Sequence, residues 1–111
     1  MIVFFDLDGT LISDDEAYII PESAVSAIHR AQSNGHLMYV DTGRTIMNVE
    51  QRLRDIGFDG YICGCGTYIE CEGNVIFQHK LSQELCDRIS ELVYECDMTP
   101  MYEHSKSFFT A

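Results

Sequence analysis

Residues 2–11 read IVFFDLDGTL, and this stretch limits what the rest of the chain can build. Ile2 to Phe5 form a short, uninterrupted run of β-forming apolar residues, the composition of a strand buried on both faces of a parallel sheet. The run ends in Asp6 and Asp8, with Gly9 and Thr10 directly behind. Two carboxylates this close repel each other unless a cation neutralises them or one keeps its proton. In an open α/β sheet, ligands collect at the carboxyl ends of the strands, where this pair would stand.

The following residues repeat the rhythm. Pro21 fits the first turn of a helix and Gly35 the position after one, and Ala24, Ala27, Ile28 and Ala31 recur at helical spacing between them. His36 to Val40 form a second apolar run, ending in Asp41. A second helix is expected from Ile46 to Ile56, with Val49, Leu53 and Ile56 on one stripe and Gly57 as its stop, and Tyr61 to Cys63 reads as a third strand. This alternation predicts a right-handed βαβαβ unit with a parallel sheet over residues 1–65. Beyond Gly66 the pattern changes. Two β-like runs flank Glu72-Gly73-Asn74 as a hairpin, a helix capped by Ser82 runs to about Glu95, and two short strands follow. Residues 66–111 therefore read as the start of a separate α+β module. Tyr61, Tyr68, Phe77 and Phe108 are expected in the core, and His29 and His36 at the surface.

Charge and cysteine usage exclude several roles. Seven Lys and Arg against 18 Asp and Glu give a formal charge of −11, so neither nucleic acid nor an anionic membrane is an expected partner. A phosphorylated ligand would need a local answer to that repulsion, most simply a divalent cation. The residues ahead of Asp6 are too few and lack the basic lead of a signal peptide, and no run reaches transmembrane length. A cytoplasmic location is expected, and the five cysteines are then an odd set of thiols rather than a disulfide framework. Cys63, Cys65, Cys71 and His79 match no familiar zinc spacing, and small buried apolar roles suit the cysteines better.

The candidate site follows from the strand ends. Asp6 and Asp8 end the first strand, while Asp41, Thr42, Gly43 and Arg44 end the second, so neighbouring strands would bring both groups to one crevice. Magnesium, a hard ion that takes oxygen ligands and keeps several waters, would hold Asp6 and Asp8 together. Gly9 allows a tight turn and would offer its amide to an anion. Thr42 can donate its hydroxyl to a phosphate oxygen, and Arg44 can either grip an anionic group or lie at the surface. Asp41 reads as a turn or supporting residue, and Asp14, Asp15 and Glu16 as a solvated acidic loop.

The motif DLDGTL resembles the first signature of haloacid dehalogenase-like hydrolases, and YVDTGR resembles their second. The T-G-R form and the module change after the third strand are similar to the sugar-phosphatase-like branch, which carries an α/β cap there. The resemblance covers the whole chain. It implies a three-layer, Rossmann-like α/β core over 1–65 and part of a C2-type cap over 66–111. It also implies magnesium-dependent hydrolysis of a small phosphorylated metabolite, such as a sugar phosphate, in the cytoplasm. Asp6 would attack phosphorus and carry an aspartyl-phosphate, and Asp8 would serve as acid and then as base. Magnesium would be held by the Asp6 carboxylate and the Asp8 carbonyl. Gly9, Thr10, Thr42, Gly43 and Arg44 would surround the phosphate.

The pattern is also broken in places. The family's later lysine and acidic pair are absent, the lysines being Lys80 and Lys106 in the cap-like stretch, and Cys65-Gly66 stands where an Asn-Gly pair is expected. Without later strands, Ile2–Phe5 would leave an open apolar edge, an invitation to self-association. Three further readings therefore stand beside the phosphatase: a truncated or noncatalytic binding or regulatory piece, a phosphosugar mutase, and a phospho-acceptor domain.

Overall fold

The computed structural model describes residues 1–15 and 17–110. Glu16, expected in the acidic loop, lies outside the described residues. Strands β1 (Ile2–Phe5), β2 (Leu37–Asp41), β3 (Gly60–Cys63), β4 (Tyr68–Cys71) and β5 (Asn74–Gln78) form one sheet in chain order. β1, β2 and β3 are parallel neighbours, and the β4–β5 hairpin adds on antiparallel. Helices α1 (Glu22–Ser33), α2 (Gln51–Arg54) and α3 (Gln83–Glu95) and a separate ribbon of β6 (Met101–His104) and β7 (Ser107–Thr110) complete the order.

The ends of α1 follow from its sequence. Pro21 sits at the N-cap position in extended conformation. At the other end Gly35 adopts φ +81°, its amide bonds Gln32 O and the His36 amide bonds Ala31 O. That double bond is a Schellman termination, which requires a left-handed residue and here has a glycine to supply it. In the hairpin, Glu72 and Gly73 both take positive φ, the twist that closes a two-residue turn between right-twisted strands. Ser82 caps α3 by accepting the Leu85 amide.

The second helix departs from expectation. In place of one helix from Ile46 to Ile56 there is a 3-10 turn at Ile46–Asn48, two extended residues, Val49 and Glu50, and then the single turn of α2. An unbroken helix would use the Asn48 carbonyl for the amide of residue 52. Instead that carbonyl accepts a guanidinium N–H from Arg44 at 3.2 Å, while the Val49 side chain is buried in the core.

Ile28 of α1 and Leu53 of α2 join one core cluster with Leu7, Met38, Val40 and Tyr61. Both helices thus cover the same face of the sheet, as two successive right-handed crossovers to adjacent strands demand. β1 is not buried on both faces as its composition suggested. It pairs with β2 alone, and Ile2 and Phe4 are 53% and 54% exposed. Every buried apolar side chain among the described residues lies between Leu7 and Cys63. Phe77 and Phe108, expected in the core, are consequently exposed, whereas Tyr61 is buried and Tyr68 packs against the core from its edge. The expected boundary at 65/66 falls in the turn Gly64–Gly66, and the sheet continues across it. No helix among the described residues is long and apolar enough to cross a membrane.

At Gly60 two neighbouring strands crowd the backbone. A Cβ built there would lie 2.3 Å from the Tyr39 ring and 2.5 Å from the Glu70 carbonyl. Gly60→Ala should therefore cost about 1–3 kcal/mol, read as a lower urea midpoint at unchanged slope.

Candidate active site

The site is built around Leu7. Its side chain is fully buried, while its neighbours Asp6 and Asp8 are exposed. Its carbonyl accepts the amides of Thr10, Leu11 and Ile12 at 3.2, 3.0 and 2.8 Å, curling the chain back on itself. Gly9 turns this loop with φ +72°, and a Cβ there would approach the Asp14 carboxylate to 3.0 Å. The Gly9 amide is not open to an anion, contrary to the sequence reading, because it donates to Ile12 O at 3.0 Å. The Thr10 amide is likewise spent on Leu7, which leaves its exposed hydroxyl as the group it can offer. On Asp6, Oδ1 accepts the Leu7 amide at 2.7 Å, which orients the carboxylate.

The parallel pairing Phe5↔Val40 sets the ends of β1 and β2 side by side. Thr42, buried, receives the Arg44 amide on its hydroxyl oxygen at 3.1 Å and so keeps its own O–H to donate. Gly43 follows in the open. Arg44 reaches back across the strands to Asp8 with both arms of its fork, Nε to Oδ2 at 2.8 Å and Nη2 to Oδ1 at 2.5 Å. Its remaining nitrogen bonds Asn48 O and lies 3.6 Å from the Glu50 carboxylate. The sequence placed Asp8 and Arg44 at one crevice; the structure joins them as an ion pair. Asn48 and Glu50, which anchor Arg44, were not singled out from the sequence, and their signal is only their place on either side of Val49 in the segment that fails to become one helix.

The Arg44 guanidinium lowers the Asp8 pKa below the ordinary carboxylate value, chiefly through its hydrogen bonds, and Arg44 holds its own proton correspondingly tighter. Glu50 is lowered mainly by Arg52. Burial pushes the Cys63 thiol up to about 12, so it stands in the sheet as a neutral apolar group.

The donors of the loop fit magnesium only as a sparse set. Among the described residues no three His, Cys, Asp or Glu side chains gather as a ligand group. What the loop offers is hard oxygen: the exposed Asp6 carboxylate and the adjacent main-chain carbonyls, with the Asp8 carboxylate committed to Arg44. Such a sparse oxygen set suits an ion that retains most of its waters.

Comparison with known proteins decides the family. The family model described as haloacid dehalogenase-like hydrolase matches residues 3–111. The chain belongs to the haloacid dehalogenase-like hydrolases. It is 31% identical over 87 residues to a Cronobacter sakazakii protein named HMP-PP phosphatase, covering 77% of this chain and 31% of that one. A solved protein of Geobacillus kaustophilus superposes with a TM-score of 0.84 at 28% identity, over 98% of this chain and 42% of its own. A sugar phosphatase of subclass IIB in this superfamily superposes at 0.79 with 27% identity, over 98% and 43%. The chain thus spans about a third of the length of the curated relatives it matches. The α/β sheet is the Rossmann-like core of this family, and the likeness to subclass IIB agrees with the branch read from T-G-R.

Asp8 has a depressed folded-state pKa, so its pairing with Arg44 stabilises the fold above the unfolded value near 3.8 and is lost as pH falls through the lower folded one. The melting-temperature difference between the wild-type chain and Asp8→Asn should therefore be largest near pH 6 and shrink on acidification toward pH 2.5. A difference that stays constant would disprove the pairing in solution.

Proposed function

We propose that the protein is a phosphatase acting on small phosphate esters through Asp6, with Asp8 as its proton carrier and magnesium as its cofactor. The observation that carries this reading is the placement of an oriented, exposed Asp6 carboxylate next to an Asp8 whose position is fixed by Arg44. The names of its relatives, HMP-PP phosphatase and sugar phosphatase, support the same class of reaction.

In this reading the Asp6 oxygen attacks phosphorus as the bond to the leaving oxygen breaks, and Asp8 gives that oxygen its proton. Asp8, now a carboxylate, takes a proton from the water that attacks the aspartyl-phosphate, and inorganic phosphate and free Asp6 result. Thr42 donates its hydroxyl to the phosphoryl group, assisted by the open backbone at Gly43, and Thr10 can add its own hydroxyl. Magnesium, held by Asp6 and the Asp8 carbonyl, supplies charge neutralisation to the carboxylates and the phosphoryl group when bound. Arg44 acts on Asp8 rather than on substrate. Its grip favours the carboxylate that the second half of the reaction needs. The first half needs the acid, which the negative field of an arriving phosphate promotes. Tyr68, His79, Lys80 and His104 of the cap-like stretch line a cavity beside Gly43.

Three measurements check the proposal. Asp6→Asn should lower turnover of an aryl phosphate by more than about 10⁴-fold, and EDTA should abolish it until magnesium is restored; turnover that survives either would sink the assignment. Arg44→Gln should slow an alkyl phosphate and 4-nitrophenyl phosphate alike, by about 10²-fold, because both pass through the aspartyl-phosphate whose hydrolysis needs the Asp8 carboxylate, and phosphorylated protein should accumulate. A loss of turnover without accumulation of phosphorylated protein would mean that Arg44 contacts the substrate phosphate instead.

A further inference from the structure

A cavity of about 510 Å³ opens from Gly43, the open end of the candidate phosphate loop, and runs between the core and residues 67–105. Its core wall is Gly43, Thr45, Ile46, Gly64 and Cys65, and its opposite wall includes His79, Lys80, Leu81 and His104. One hydrogen bond ties the two walls together, Asn48 Nδ2 donating to Glu103 at 3.3 Å, and a second, Gln78 Nε2 to Ser105 at 3.1 Å, braces the wall opposite the core. The His79 amide bonds Thr67 O at 2.8 Å, which fixes where β5 delivers the His79-Lys80 pair.

The cavity lacks the acidic excess of the rest of the molecule, its lining holding one lysine against one carboxylate. The chain carries −11 overall with seven Lys and Arg in total. Four of these, Arg44, Arg52, Arg54 and Arg88, are paired with carboxylates. Lys80 has no carboxylate partner among the described residues, and it lines the cavity together with two of the four histidines. One carboxylate lines it too, Glu103, and that group already accepts from Asn48. An unpaired cation with two imidazoles, set apart from the phosphate loop across a partly apolar space, matches a ligand that is anionic at both ends.

We propose that the substrate carries, beyond the phosphoryl group delivered to Asp6, a second anionic group at the far end of its organic part, which Lys80 holds with help from His79 and His104. The proposal rests on the phosphatase reading for the near end. Ile46, Tyr68 and Leu81 line the same space and suit an apolar or aromatic body between the two charged ends. Lys80 is a specificity residue here and takes no part in the chemistry.

The test uses two phosphonates that no phosphatase can cleave, benzylphosphonate and its 4-carboxy derivative, titrated into the full chain with magnesium. The overall charge of the protein should by itself disfavour the added carboxylate. The expected result is the reverse: the carboxylated probe binds about five- to tenfold tighter. Lys80→Met should bring the two probes to within about twofold of each other, leaving benzylphosphonate unaffected, and Lys80→Arg should keep the preference. Lys80 is exposed, so neither variant threatens folding. Equal binding of the two probes to the wild-type chain, no binding of either, or a preference that outlives Lys80→Met would each overturn the proposal. Hydrolysis of phenyl phosphate, compared with Asp6→Asn in parallel, reports on the phosphatase reading separately.

Discussion

The candidate site depends on one buried leucine. Leu7 sits between two aspartates and is buried, while both of them are exposed. Its carbonyl takes three amides from the following residues, so the same residue whose amide orients Asp6 also folds the loop behind it. A polar residue in its place would lose the core contact.

Electrostatics then divides the two aspartates. Both are exposed carboxylates one residue apart, and repulsion alone would make them interchangeable. Arg44 breaks the symmetry by taking Asp8 in both arms of its fork and leaving Asp6 to the Leu7 amide. It can do so because Asn48 and Glu50 hold it from behind, at the cost of the helix that the apolar stripe would otherwise form. A local propensity gives way to a contact between residues 36 positions apart.

That exchange also explains what could be read from the chain alone. β1, α1, β2, β3, the hairpin and α3 were legible because each is set by local signals: apolar runs, Pro21, Gly35, Glu72-Gly73, Ser82. The meeting of Asp8 with Arg44 at one crevice was legible too, since parallel neighbours share an end. The broken second helix was not, for its cause is the Arg44 fork on Asn48 O. Phe77 and Phe108 were misplaced because aromatic composition predicts burial only where a second layer lies opposite, and beyond Cys63 no described side chain of that kind is buried. The satisfied Gly9 amide was hidden for a related reason: a glycine announces a turn but not which acceptor the turn will find. Cys65 is an instructive case. It takes φ +54° where the family pattern has asparagine, a residue that tolerates this conformation.

The order of the sheet has a consequence for how the chain comes to be folded. Its five strands lie side by side in the sequence order in which they are made. Each new strand finds its neighbour already in place, and no strand must wait for a distant one to be inserted between its partners. Closure is short for β3, β4 and β5, whereas β1 and β2 must close across the whole of α1, from Phe5 to Leu37. A sheet ordered in this way can grow from β1 outward during synthesis, so that Asp6 and Asp8 meet Arg44 as soon as the second strand is laid down.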